Sequence, residues 1–282
     1  MPERIIMQRF PQKRVFITGA GSGFGKALAL EFAGRGWKVS VSDLFEERVK
    51  QTAEEVRRHG GQALEIVCDV TKYEELEKAA NRIQQEWGGL DIVVNNAGIA
   101  VVGQFEKVAI EDWDKVIDVD LKSVIYGCRI FIPLFKRQGY GHIVNMASAA
   151  GFVALPEMGP YNVAKAGVIA LSETLRPELA KHNIGVTVLA PTFFRTNSSN
   201  GAIAPEERNL KWGQKMVNEA KYTAEQVVKK AMTAIEKNNF YVIPQFDARL
   251  FWFLKRHAPN LFRKLLGFMY KNGLGKFKGL NP

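Results

Sequence analysis

Short apolar runs rich in β-branched residues alternate along this chain with longer stretches whose apolar positions recur every three or four residues. RVFIT is followed by GKALALEFAGRG, KVSVSD by EERVKQTAEEVRRHG, and ALEIVCDV by EELEKAANRIQQEWG. The alternation continues through LDIVVNNAG, a helix over about Trp113 to Gln138, HIVNMAS, a helix from about Tyr161 to His182, and IGVTVLAP. Strands that read as continuous apolar runs are buried on both faces, and intervening helices of ten or more residues allow parallel pairing. The pattern therefore predicts an α/β fold, a doubly wound parallel sheet of the Rossmann type. Glycines at 34 and 36, 60 and 61, and 88 and 89 stand where helix C-caps are expected.

After the sixth strand the rhythm breaks. A polar segment from about Asn197 to Tyr222 precedes another helix (Ala224 to Asn238) and a short strand (Phe240 to Ile243). An insertion at the carboxyl edge of such a sheet is placed to cover a substrate, so residues 193–222 are expected to form a lid; a surface excursion without a role is the plainer reading. We expect one catalytic domain over residues 1–245 and a helical extension over 246–282.

Charge sharpens that division. The 39 Lys and Arg against 29 Asp and Glu leave a net +10. Residues 246–282 contain eight bases and the single acid Asp247, a net +7, so the first 245 residues are nearly balanced. The extension also holds eight of the 30 aromatic residues. On a helix opening near Pro259, Leu261, Phe262, Leu265, Leu266, Phe268 and Met269 cover one face, and Arg263, Lys264 and Lys271 the other. Three readings fit: a helix at a membrane interface, helices packed over the pocket or a subunit contact, or a nucleic-acid surface. The last lacks any recognised module and is not expected. Two cysteines without CxxC or ligand spacing argue against a disulfide framework or a metal site. A charged N-terminus and the lack of any apolar run near 18 residues lead us to expect a cytoplasmic protein, or one peripheral to a membrane surface.

The chemistry begins directly after the first strand, in Thr18-Gly19-Ala20-Gly21-Ser22-Gly23-Phe24-Gly25. Glycines let a backbone approach a pyrophosphate, and the N-terminus of the following helix attracts its charge. Gly19, Ser22, Gly23, Phe24 and Gly25 are thus candidate cofactor contacts. Asp43 ends the second strand 18 residues after Gly25, where an acid accepts hydrogen bonds from an adenosine ribose and repels a 2′-phosphate. This favours NAD over NADP. An Asp there would also serve as a helix N-cap, and Arg48 folding back would admit NADP. Asp69 and Val70 after the third strand, and Asn95, Asn96, Ala97 and Gly98 after the fourth, would ring the adenine side of the site, although turn chemistry alone also selects Asp and Asn.

With Ser148, Tyr161-Asn162-Val163-Ala164-Lys165 and Pro191 to Thr196 added in order, the chain resembles the short-chain dehydrogenase/reductase family over about residues 13 to 245. Tyr161 and Lys165 lie one helical turn apart. The resemblance implies that Tyr161 is the general acid and base, with its pKa brought below about 10 by Lys165 and the oxidised nicotinamide. It further implies that Ser148 donates to the substrate oxygen and that Tyr161 and Lys165 also hold the nicotinamide ribose. Pro191, Phe193 and Thr196 would hold the carboxamide. Two departures stand out: Asp120 replaces the family's usual relay Asn, and Thr192 replaces a Gly. Val153, Leu155, Met158, Phe194 and Trp212 suggest an apolar substrate pocket, with Phe193 and Phe194 open to a core role instead.

The expected function is hydride transfer between NAD(H) and a hydrophobic secondary alcohol or ketone, in a homodimer or homotetramer. An NADPH-dependent 3-oxoacyl-thioester reductase and a non-catalytic dinucleotide sensor are the alternatives.

Overall fold

The computed structural model describes residues 9–196 and 202–280. Seven parallel strands form one sheet: β1 (Arg14–Thr18), β2 (Lys38–Asp43), β3 (Gln62–Val67), β4 (Ile92–Asn95), β5 (Gly141–Met146), β6 (Ile184–Leu189) and β7 (Tyr241–Val242). Their spatial order is β3-β2-β1-β4-β5-β6-β7. The apolar runs explain why both faces are covered. Val15 and Ile17 of β1 enter one core layer while Phe16 enters the other, and in β4 Ile92 and Val94 oppose Val93 in the same way.

Helices α1 (Gly23–Ala33) and α2 (Glu46–Arg58) pack on the first layer. Helix α3 (Tyr73–Trp87) packs on the second. The predicted helix near Trp113 is three pieces: α4 (Ile110–Ile117), a π-helical turn (Asp118–Lys122) and α5 (Ser123–Gln138). A π turn shifts the register of side chains within a helix and recurs at functional sites. After a one-turn α6 (Ala150–Val153), helix α7 (Gly159–Ala180) begins two residues before Tyr161. Helices α8 (Glu207–Asn218) and α9 (Ala224–Glu236) follow β6, and the extension forms α10 (Phe246–His257) and α11 (Pro259–Lys271).

The two ends of the sheet do different work. At the amino ends, Arg14 Nε pairs with Asp91 at 3.0 Å, both buried, while Arg14 Nη1 donates to the Trp87 carbonyl and Nη2 to Tyr140 Oη. Also there, His142 is fully buried: Arg9 donates to its Nδ1 at 3.0 Å, so Nε2 carries the proton and donates to Thr187 Oγ1 at 2.9 Å. Thr187 passes the chain on to the Asn239 carbonyl at 2.7 Å. At the carboxyl ends of β1 and β4, where the strand order reverses, the sheet opens the crevice in which α/β folds bind ligands.

Burial, reinforced by the guanidinium groups of Arg9 and Arg176, holds the His142 imidazole well below its usual 6.5. The native state therefore keeps it neutral while the unfolded chain protonates it, and stability falls as pH drops through about 6.5. Urea unfolding at pH 7.5 and 5.5 should show a loss of up to about 1.4 kcal/mol from this group, and His142→Gln should flatten the difference by that amount. An unchanged pH dependence in the variant would contradict this assignment.

Candidate active site

The glycine turn is fixed by its neighbours across the strand switch. Gly19 has φ of +63°, and a Cβ there would lie 2.9 Å from Ala97 Cα, so only glycine fits without strain. A Cβ at Gly25 would lie 2.3 Å from the Gly19 carbonyl oxygen. Asn96 Nδ2 donates to the Thr18 carbonyl at 2.8 Å and to that of Gly19 at 3.3 Å. Thr18 Oγ1 accepts from the N–H groups of Asn96 and Ala97 at 2.9 and 3.0 Å. Thr18 is a residue that sequence reasoning passed over; its signal was its place directly before the first glycine.

The end of α1 presented by this turn suits an anion. Ser22 is the N-cap residue but makes no side-chain cap bond, and the first turn carries no acid. A free hydroxyl and unopposed N–H groups at a helix N-terminus are what a pyrophosphate requires. Asp43 sits alongside, largely buried, with Oδ2 accepting from Gly21 N–H at 3.0 Å and Oδ1 from Phe45 N–H at 3.2 Å. It is thus at the turn, as a ribose acceptor must be, while the residue capping α2 is Phe45. Arg48 lies with its guanidinium 4.4 Å from the Phe45 ring centre.

Several expected contacts are differently placed. Asn95 points into the buried layer: its Nδ2 donates to Asn145 Oδ1 at 2.8 Å, and Asn145 donates to Ser172 Oγ at 3.0 Å. Its side chain is therefore structural, because alternate residues at a strand end face opposite sides of the sheet. Asp69 closes a turn, accepting from the N–H and hydroxyl of Thr71 at 3.0 and 2.7 Å. Val70 is buried in the core layer, so only its backbone is available to a ligand. Gly98 lies against the catalytic groups, since a Cβ there would be 3.0 Å from Asp120 Oδ2 and 3.4 Å from Lys165 Nζ.

Around Tyr161 the predicted residues converge. The phenol lies beside Ser148, and the Lys165 ammonium lies 5.5 Å from the Tyr161 ring centre. Ser148 Oγ also accepts from Ala150 N–H at 3.2 Å and reaches the Pro191 carbonyl at 3.3 Å, which accepts from Ala149 N–H as well. Lys165 Nζ donates to the Met146 carbonyl at 3.0 Å and pairs with Asp120 Oδ2, also at 3.0 Å. Both members of the pair are almost completely buried. Asp120 Oδ1 accepts from Ile99 N–H at 2.8 Å, and the π turn is what places this side chain. An ammonium has three donors, so one remains for a further acceptor.

Around the phenol, burial and charge act in opposite directions. Burial pushes the Tyr161 phenol above its ordinary 10, and Asp120 adds to the rise, while Lys165 and Ser148 oppose it. For Lys165, burial acts to lower the pKa, but Asp120 and Tyr161 outweigh it and hold the ammonium charged. Burial raises the Asp120 carboxyl against the pull of Lys165 and Ile99 N–H. In the free protein Lys165 therefore does not bring the phenol down, because burial outweighs it and Asp120 offsets part of its field.

The substrate side is apolar. Met158 and Trp212 are buried with Leu155 and Phe193 around Tyr161, and Phe193 meets Trp212 edge-on at 5.6 Å. Val153 lies in the adjoining cluster. Phe194 does not join them: it packs on Phe24 at 5.8 Å, in the core layer under α1. Thr196 is partly buried just before residues 197–201, and these positions of the expected lid lie outside the described residues. From residue 202 the chain is seated on the domain, with Ile203 exchanging backbone hydrogen bonds with Ala100 and Val102.

Two further residues went unnoticed in the sequence. Gln245 is buried and brackets Thr192, accepting from its N–H at 3.1 Å. Glu157, with φ of +58° and a buried carboxylate, accepts from Asn209 of α8 at 2.5 Å and from Tyr270 of the extension at 2.6 Å, with Arg208 at 3.5 Å. It ties α8 and the extension to the loop that leads into α7 and Tyr161. Phe277 and Leu280 also close over this apolar group.

The comparisons with known proteins agree with this geometry. The short chain dehydrogenase family matches residues 13–207. "Probable oxidoreductase EphD" of Mycobacterium tuberculosis is 38% identical over 237 residues, which are 81% of this chain but 40% of that protein, so the chain spans less than half of its length. "Putative oxidoreductase SadH" of the same species is 30% identical over 275 residues, 96% of this chain and 98% of that one. Among solved structures, a short chain dehydrogenase/reductase from Burkholderia phymatum in complex with NAD has a TM-score of 0.82 and 29% identity, covering 88% of this chain and 94% of that chain. A glycine turn at the strand switch, Ser148, Tyr161 and Lys165 gathered at the carboxyl ends, and relatives matching nearly end to end lead to one conclusion: the chain belongs to the short-chain dehydrogenase/reductase family.

Proposed function

We propose that this oxidoreductase transfers hydride between NAD(H) and a hydrophobic secondary alcohol or ketone. The observation that carries the reading is the Tyr161 phenol, set beside Ser148 and Lys165 and packed in the apolar group of Leu155, Met158, Phe193 and Trp212. NAD(H), when bound, supplies or accepts the hydride. Its pyrophosphate suits the N-terminus of α1, and the Asp43 carboxylate favours a free ribose hydroxyl over a 2′-phosphate. That the Burkholderia phymatum relative was solved with NAD supports this choice.

The residues divide the work. In reduction, Ser148 and Tyr161 donate hydrogen bonds to the carbonyl oxygen, and as hydride reaches carbon the oxygen takes the Tyr161 proton. The raised pKa of the phenol keeps that proton in place at neutral pH. Lys165 stabilises the phenolate that results, and its remaining donor suits a ribose hydroxyl. In oxidation the same groups run in reverse, and positive charge on the oxidised nicotinamide helps Tyr161 give up its proton. The apolar walls exclude water and select a substrate without charge beside the reacting carbon.

Turnover assays on sterols, retinoids and medium- and long-chain alcohols and ketones test the reading. NADH should support reduction better than NADPH by roughly tenfold or more, the equivalent of about 1.4 kcal/mol of charge repulsion at Asp43. Tyr161→Phe should lose on the order of 10²- to 10⁴-fold in kcat while NADH still binds. A strong NADPH preference on 3-oxoacyl thioesters would favour the acyl-thioester reductase instead. Equal inertness of wild type and Tyr161→Phe, with NADH bound, would favour a sensor.

Asp120→Asn separates the effect of the altered relay position. Without the carboxylate, the phenol loses a group that raises its pKa, so the alkaline limb of kcat/KM for reduction should move to lower pH. An unmoved limb would show that Asp120 does not act on Tyr161.

A further inference from the structure

Helices α10 and α11 each have two faces, and only one of each is used by the domain. On the inner side Ala248 and Phe262 are buried against Ala149, Phe152 and Val153. Lys255 donates to the Phe152 carbonyl and Arg263 to that of Val153 at 3.0 Å, so these two bases are spent on docking the helices. The outer side carries Phe246, Leu250 and Phe253 on α10 and Leu261, Leu265 and Phe268 on α11, from 43% to 70% exposed. Both triplets follow the spacing i, i+4, i+7, so each forms one stripe along its helix. Isolated exposed leucines are ordinary on a protein surface, but two parallel apolar stripes mark a contact surface.

Charge identifies the occupant. Arg249 and Arg256 border the α10 stripe, Lys264 stands three residues after Leu261 and four before Phe268, and all three are exposed. From Ala248 to the last residue the sequence contains no acid. A second copy docked on this face by two-fold symmetry would set these bases against themselves, with Asp247 in the first turn of α10 as the extension's single acid to set against them. A nucleic acid would answer the charge but not the leucine and phenylalanine stripes. An anionic bilayer surface answers both, since its headgroups pair with the bases and its acyl region receives the apolar side chains. Among the described residues no helix is long and apolar enough to cross a membrane, so the contact lies in the interface plane.

We propose that the outer face of α10 and α11 docks this protein on anionic membranes. Behind it lies an apolar cavity of about 40 Å³, lined by Val153 and Leu155 of the substrate side and by Leu265, Leu266 and Met269 of α11. Leu265 belongs to both the outer stripe and the cavity wall, so the docking face is continuous with the apolar space beside the site. Docking stands apart from the reaction; only the consequence that a lipid-dissolved substrate reaches the site from the bilayer rests on the proposed function.

Flotation of the full chain with phosphatidylcholine vesicles, and with vesicles of phosphatidylcholine plus phosphatidylserine, tests the docking. The anionic vesicles should bind at least about tenfold more protein, and added salt should weaken the binding. The triple variant Phe253→Glu, Leu261→Glu and Phe268→Glu should lose it while keeping wild-type thermal unfolding and NADH binding. Arg249→Glu with Lys264→Glu should abolish the preference for the anionic vesicles. Absence of binding to either vesicle, binding undiminished in the triple variant, or a smaller oligomer in that variant by light scattering would each overturn the proposal; the last would show that the face covers a second copy.

Discussion

An ammonium can be buried beside a reactive phenol only if something balances its charge, and here Asp120 does so. A lone buried lysine would shed its proton, because removal from water disfavours the charged form. With Asp120 at 3.0 Å and the Met146 carbonyl at the same distance, Lys165 stays protonated inside the protein. The same carboxylate acts against Tyr161, which burial already pushes upward. The site is thus balanced toward a protonated phenol, and in the reaction we propose a positive charge arriving with the oxidised cofactor is what would tip it toward base catalysis.

The scaffold explains how these groups meet. Lys165 and Tyr161 come from α7, Ser148 from the end of β5, and Asp120 from a π turn between α4 and α5. Parallel strands send all their carboxyl ends to one side, so residues distant in sequence share one crevice. Stability is placed at the opposite end, in the Arg14–Asp91 pair and the Arg9–His142–Thr187 chain. Helix α8 and the extension are joined through Glu157 to the loop before α7, so they form one connected structure.

Much of this was legible in the sequence because its signals are local. The strand runs, the glycine turn, Asp43 and the Tyr161–Lys165 spacing each depend on residues a few positions apart. What depended on the side of the backbone was not legible. Asn95 and Asn96 differ by one position, yet the first enters the core and the second locks the glycine turn. Phe193 and Phe194 part in the same way, one to the substrate side and one to the layer under α1. Glu157 gave no signal, because its three partners come from segments more than 50 residues away and its left-handed backbone leaves no mark on composition. In the extension the basic and apolar residues were evident, but not that Lys255 and Arg263 would turn inward while Leu261 and Phe268 stayed outside.

The central claim is that Asp120 and burial hold the Tyr161 phenol protonated until the cofactor's charge arrives. An ultraviolet difference titration of wild type against Tyr161→Phe reads that ionisation directly, without NAD and with NAD bound. The account predicts a phenol that ionises above the ordinary tyrosine value in the free protein and at lower pH once NAD is bound. A phenolate already formed near neutral pH in the free protein, or a titration that NAD leaves unmoved, would contradict it.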